Sequence, residues 1–250
     1  MTTTAFTPAP LATIDGQDIN IATAKEVVKA SIDRLMSGVG FTLYTLNLDH
    51  LVKRRGDPAF RDIYSRATFV TADGAPIVWL ASRQGVRLDR VTGADLVIPM
   101  CEAAARSGVP VAFYGSSESA LAGASAKLRR MFPLLRVAFI EAPPLGFDPR
   151  SSAADAAADR IAASGARLCF VALGAPKQEV FADRVARRHA DIGFLGIGAA
   201  LDFIAGEQRR APAFFQRNGL EWAWRLASNP RRLAARYGAC ATTFATLLLH

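Results

Sequence analysis

An open parallel α/β sheet with helices on both faces, followed by a helical, arginine-rich appendage, is the fold class that this sequence predicts. Three observations lead there. Short apolar runs alternate with longer amphipathic stretches, the pattern of a parallel sheet covered on both sides. Several runs end in small or polar residues just before a helical pattern, as at Thr45-Leu46-Asn47, Ala72-Asp73-Gly74, Gly115-Ser116-Ser117, Gly174-Ala175-Pro176 and Gly196-Ile197-Gly198. After about residue 205 the texture becomes polar, basic and aromatic. The arrangement is Rossmann-like.

In chain order the candidate strands are Phe41–Leu46, Thr68–Ala72, Pro110–Gly115, Arg136–Ile140, Leu168–Gly174 and Ile192–Gly196. Helical patterns fill residues 22–37, 49–65, 76–84, 94–107, 117–131, 152–164 and 177–189, with Pro58 splitting the second because proline disrupts a helix interior. Beyond residue 205, Ala213–Gln216 and Gly219–Ala227 read as short helices, and a last helix runs from Pro230 towards Leu249. Ligands of open parallel sheets bind beyond the carboxyl ends of the strands, so the strand–helix junctions are expected to line one crevice. No GxGxxG follows the first strand and no Walker A motif occurs, which disfavours a dinucleotide dehydrogenase.

With 250 residues, 51% of them apolar, the chain suits one sheet domain, residues 1–205, and an appendage, residues 206–250. The first ten residues read as a frayed terminus, not a secretory signal. No apolar run reaches the roughly 18–20 residues that span a bilayer. Cys101, Cys169 and Cys240 are scattered in apolar segments, so reduced, buried thiols in a cytoplasm are expected. Three scattered histidines and no CxxC argue against a metal site. The net charge of +8 implies an anionic partner. Arginines 209, 210, 217, 225, 231, 232 and 236 face only Glu207 and Glu221 in the appendage, which fits nucleic acid, anionic lipid or a diphosphate.

Asp73 is the sharpest single candidate. It leaves a strand into the crevice, where a carboxylate can take a proton as general base. Position alone favours the alternative, a cap on the helix that begins near Pro76. Thr45 and Asn47 suit either a sugar contact or a turn, and His50 reads as a packed or solvated helix residue. Free N–H groups after Gly174-Ala175-Pro176 could bind a phosphate, with Lys177 and Gln178 towards the same ligand and Glu179 in the first turn. The small residues from Gly196 to Ala200 allow a flat base or ribose, or close helix packing. Arginines aimed at a departing diphosphate would stabilise its charge.

Together these stretches, with Arg90-Val91-Thr92-Gly93-Ala94-Asp95-Leu96, Gly198-Ala199-Ala200-Leu201-Asp202-Phe203, Arg210-Ala211-Pro212, Gly219-Leu220-Glu221-Trp222 and Arg236-Tyr237, resemble the WecG/TagA/CpsF glycosyltransferases over roughly residues 14–238. The resemblance implies an inverting, metal-independent enzyme of surface-polysaccharide assembly that needs no cofactor. It implies transfer of N-acetylmannosamine, its uronic acid or glucuronic acid from a UDP-sugar. The acceptor it implies is a polyprenyl-diphosphate-linked saccharide, at the cytoplasmic face of the inner membrane, where the protein would sit peripherally. It makes Asp73 the base, reversing the balance against the cap, and assigns sugar contacts to Thr45 and Asn47. It draws Asp95, Lys177, Gln178, Glu179 and Asp202 into substrate binding and gives the diphosphate to Arg210, Arg225, Arg232 and Arg236. The chain departs in carrying Leu201 where phenylalanine is common, and Phe181 and Phe214 or Phe215 where tryptophan is frequent. The rival readings are a basic nucleic-acid-binding module and a non-catalytic scaffold of an assembly complex.

Overall fold

The computed structural model describes residues 8–217 and 219–249, with the side chains of Ala213, Arg217 and Arg232 outside the described residues, as is the terminus expected to be frayed up to Thr7. A hairpin of β1 (Ala12–Ile14) and β2 (Gln17–Ile19) leads into α1 (Ala24–Met36), β3 (Phe41–Leu46), α2 (Leu48–Gly56) and α3 (Pro58–Ser65). Then come β4 (Phe69–Ala72), α4 (Ala75–Arg83), α5 (Gly93–Arg106), β5 (Val111–Gly115), α6 (Glu118–Met131) and β6 (Val137–Glu141). The sheet is completed through α7 (Ser152–Ala163), β7 (Leu168–Ala172), α8 (Lys177–Ala186) and β8 (Gly193–Gly196). Four further helices follow: α9 (Ala200–Ala205), α10 (Ala213–Arg217), α11 (Glu221–Ser228) and α12 (Pro230–Leu248).

The six long strands form one parallel sheet in the order β4-β3-β8-β7-β5-β6. Every residue of β3, β4, β5, β7 and β8 is buried, which is why those runs are continuously apolar in sequence. Alternate side chains sort into two layers. Phe41, Leu43, Phe170 and Leu195 meet α1, α5, α6 and α9, whereas Tyr44, Leu46, Cys169, Val171 and Phe194 meet α2, α3, α7 and α8. Registers pair Leu46 with Ala72, so the residues that follow β3 and β4 emerge side by side. Pro58 starts α3 after an Asp57 cap, as the sequence predicts. Each cysteine is free and buried.

Two elements differ from the sequence expectation. The hairpin turns at Asp15 and Gly16, both in the left-handed region at φ 51° and 68°. An Asp-Gly pair between apolar residues is the two-residue turn signal that the expectation passed over. Asn20 follows it and mimics a strand: its side chain donates to the Thr68 carbonyl at 3.0 Å and accepts from the Val70 amide at 2.8 Å, covering the β4 edge. The second is α9, which occupies what read as a small-residue junction and ends at Gly206 with φ 91°.

The last helix lies along α2. Arg236 binds Asp49 at 2.8 Å, Arg55 donates to the Thr246 hydroxyl at 2.9 Å, and Phe244 meets Trp79 at 5.7 Å between centroids. Phe244 and Leu247 pack on the core, so these two residues of the terminal apolar run face inward. No described helix is long and apolar enough to cross a membrane.

Phe181, where tryptophan was the expected residue, is fully buried and stacks on Tyr114 at 4.6 Å with Phe147 and Phe194 against its edges. Phe181→Ala leaves a cavity that neighbours cannot fill, and denaturant unfolding is expected to lose about 3–5 kcal/mol. A loss below about 1 kcal/mol would contradict this packing.

Candidate active site

The strand order alone brings the base candidate to its partners. Asp73 extends the ladder past β4, its amide donating to the Leu46 carbonyl at 2.8 Å. Its Oδ2 accepts from Asn47 Nδ2 at 3.1 Å and, at a long 3.5 Å, from the Thr45 hydroxyl. Gly74, at φ 101°, is the N-cap residue of α4, and no side chain among the described residues caps that helix. Asp73 is therefore not the cap that its position allowed. Asn47 takes the turn reading offered for it: its Oδ1 accepts from the His50 amide at 3.1 Å, capping α2, while its Nδ2 donates to the carboxylate. Thr45 is buried, and its carbonyl accepts from the Tyr64 hydroxyl at 3.2 Å.

Asp73 keeps some solvent access but is densely enclosed, and that desolvation pushes its pKa up from 3.8 to about 6. The Asn47 hydrogen bond opposes the rise, Glu221 adds to it, and Arg90 and Arg225 oppose it. Glu221 and Arg225 belong to α11, so charges of the appendage act on the carboxylate.

Arg210 is the tie between appendage and sheet. Its Nη1 donates to Asp95 Oδ1 at 2.6 Å, and its Nη2 lies 3.7 Å from Glu221 Oε2. Arg225 completes the row, donating to Glu221 Oε1 at 2.9 Å. Arg90 approaches the other side of Asp95 at 3.6 Å. Burial alone would raise the Asp95 pKa, but its bonds to Arg210 and Thr92 hold the carboxyl below its ordinary value. Arg210 Nε is buried and has no hydrogen-bond partner among the described residues. Gly93 starts α5 against the end of β8, where a Cβ would sit 2.4 Å from the Gly196 carbonyl oxygen. A Cβ on Gly196 would in turn sit 2.8 Å from Gln178 Nε2, so close packing accounts for both of these glycines.

The remaining candidates are dispersed. Gln178 and Glu179 are buried: Gln178 accepts from the Gly198 amide at 2.9 Å and donates to Glu179 Oε1 at 2.8 Å. Lys177 is exposed and donates to the Phe147 carbonyl at 3.0 Å, so it does not join Gln178 on one ligand. Asp202 accepts from Ser116 at 3.0 Å and Gln208 at 3.2 Å, with Ser116 in the left-handed region at φ 64°. Arg236 is engaged with Asp49, and the Arg232 side chain lies outside the described residues. Among the described residues no three His, Cys, Asp or Glu side chains gather as for a metal ion.

Sequence reasoning missed Glu221, Arg90 and His50 as parts of the site. Glu221 and Arg90 stand inside the quoted motifs, but nothing in their spacing tells which acid will bridge two arginines. A separate groove of about 420 Å³ between α3 and α8 contains Arg66, Arg184 and Arg187. Each is already paired, with Asp183, Asp155 and Asp183 respectively.

A carboxyl whose folded pKa lies above its ordinary value costs stability above the folded pKa and nothing below the ordinary one. Asp73→Asn is therefore expected to stabilise the fold at pH 8, by about 1–2 kcal/mol after solvent screening, and the gain should fade between pH 6 and 4. Thermal or denaturant unfolding across that range checks it; a destabilised variant at pH 8 would mean that the charge is an anchor. The family model described as Glycosyl transferase WecG/TagA/CpsF family matches residues 12–250, nearly the whole chain, and the protein belongs to that family of glycosyltransferases.

Proposed function

We propose that the protein transfers a sugar from a UDP-sugar to a polyprenyl-diphosphate-linked saccharide, with inversion and without a metal ion, in surface-polysaccharide synthesis. The observation that carries this reading is the half-buried Asp73, held by Asn47 and within the electrostatic influence of Glu221 and Arg225 on α11. Asp73 takes the proton of an acceptor hydroxyl as that oxygen attacks the anomeric carbon. The bond from that carbon to the diphosphate breaks on the opposite face, and the electron pair leaves with UDP. A pKa near 6 leaves the base charged at neutral pH yet a stronger proton acceptor than an ordinary aspartate.

The leaving diphosphate develops charge that Arg210, Arg225 and Arg90 are placed to neutralise, the role that a divalent cation would otherwise have. Arg210 Nε, buried and without a partner among the described residues, is a donor ready for a phosphate oxygen. Asp202, beside Ser116, suits the hydroxyls of a ribose. The donor sugar is of the N-acetylmannosamine, N-acetylmannosaminuronic acid or glucuronic acid type. The lipid-linked acceptor places the protein on the cytoplasmic face of the inner membrane, peripherally. Phe214, Leu220 and Trp222, exposed by 66%, 37% and 47%, offer apolar contact beside the arginines.

The test is transfer of radiolabelled sugar. Asp73→Asn is expected to lower turnover about 10²–10⁴-fold while retaining UDP-induced thermal protection. Arg225→Ala should lower turnover by about 10²-fold, and EDTA should leave the wild-type rate unchanged. Near-normal transfer by Asp73→Asn would remove the base, and no turnover with any UDP-sugar would favour the scaffold reading. Gel-shift binding at physiological salt, without UDP protection, would favour the nucleic-acid reading.

A further inference from the structure

We propose that His50 and Glu179, a buried pair beneath the site, are positioning residues that fix Asn47 and through it orient the base Asp73. The inference rests on the assignment of Asp73 as the base.

His50 is 4% exposed and Glu179 is 1% exposed, under α2 and α8 respectively. The Asn47 amide donates to His50 Nδ1 at 3.3 Å, and the Asn47 side-chain oxygen accepts from the His50 amide at 3.1 Å. This reciprocal pair does more than start a helix. It occupies Asn47 Oδ1, so the carboxamide can turn only its Nδ2 to Asp73, at 3.1 Å. A flipped amide would place oxygen against the carboxylate and abandon the cap. Because Nδ1 accepts, the imidazole proton belongs on Nε2, which lies 3.8 Å from Glu179 Oε1. The same carboxylate oxygen takes the Gln178 amide, whose own oxygen holds the Gly198 N–H. One buried carboxylate thus anchors the loop after β8 through Gln178 and lies beside the histidine that braces the loop after β3.

A buried carboxylate is a costly way to fill a core, and Glu179 Oε2 has no partner among the described residues. Burial lowers the His50 pKa to about 4, keeping the ring neutral as the geometry requires; Asp49 opposes this, while Lys53 and Arg236 assist. Burial raises Glu179 to about 7, against the Gln178 bond and Lys53, with Asp49 assisting the rise. Tyr44 and Tyr64 also face Glu179, the former donating to its backbone carbonyl at 3.2 Å. Asp73 in turn feels Asn47, Thr45, Tyr64, Glu221, Arg90, Arg210 and Arg225.

The experiment is a carboxyl-carbon NMR titration of Asp73 in the full chain, assigned by the resonance lost in Asp73→Asn. His50→Leu removes the acceptor for the Asn47 amide and frees the carboxamide. The Asp73 midpoint is expected to rise by about one pH unit as its hydrogen bond loosens. His50→Asn restores an acceptor near Nδ1 and should bring the midpoint most of the way back. Glu179→Gln keeps the shape and should shift the midpoint in the same direction by a smaller amount, which carries the test if His50→Leu does not fold. In transfer assays both pair variants should lower kcat about 10-fold or more with donor KM within about 2-fold, and rescue by His50→Asn should follow the midpoint. An unmoved Asp73 midpoint in folded His50→Leu or Glu179→Gln overturns the proposal. A moved midpoint with full transfer by Asp73→Asn would leave the positioning intact and remove the base assignment instead.

Discussion

Enclosing a carboxylate in protein is costly unless polar groups replace the water it loses, and that constraint organises the site. Asp73 emerges where two parallel strands end together, and the side chains that answer its charge come from elements brought there by the sheet. Asn47 and Thr45 lie on the neighbouring strand end, which the register between Leu46 and Ala72 sets beside it. Arg90 and Arg225 arrive from the loop before α5 and from α11. The compensation is partial, since burial still pushes the carboxyl up from 3.8 to about 6. A stronger set of donors would stabilise the charge and lower the affinity of the carboxylate for a proton. A weaker set would leave it protonated at neutral pH.

The appendage joins this balance through ion pairs rather than through a continuous apolar interface. Asp95, Arg210, Glu221 and Arg225 form an alternating row that runs from α5 to α11. Such a row ties the appendage to the sheet while leaving guanidinium groups able to change partners, since a diphosphate offers the same oxygen geometry as the carboxylates. Elsewhere the attachment is firmer. Arg236 on Asp49 and Phe244 on Trp79 hold α12 to α2 and α4. Asp49 neighbours His50, so the docking of the last helix and the support of Asn47 share one turn of α2.

Five of the six sheet strands were legible because burial on both faces leaves no polar alternation, as in Phe41–Leu46 and Leu168–Ala172, whereas the edge strand β6 alternates half-buried and exposed residues. Pro58 and Asp57 announced the break between α2 and α3 by fixed backbone and capping chemistry. The β1–β2 hairpin was readable from Asp15-Gly16 but is only three residues a strand, too short for periodicity to show. Within the site, Asp73, Asn47 and Thr45 were found because they stand at strand ends. Lys177 was misplaced because sequence order puts it beside Gln178, whereas the first turn of α8 sends one side chain to the Phe147 carbonyl and the other inward. Glu221 and His50 were missed for a related reason. Glu221 bridges Arg210 and Arg225 in its own segment and His50 braces Asn47 within its own turn, but the acids beyond them, Asp73 and Glu179, lie more than a hundred residues away and leave no local mark.

The central claim is that Asp73, with its raised affinity for protons, removes the acceptor proton in the transfer step. The direct measurement is the single-turnover transfer rate as a function of pH, with donor and acceptor bound beforehand. The rate should fall on the acid side through one ionisation centred near 6, where Asp73 titrates. A rate that stays level well below pH 5, or that falls only where an ordinary aspartate titrates, would contradict the assignment.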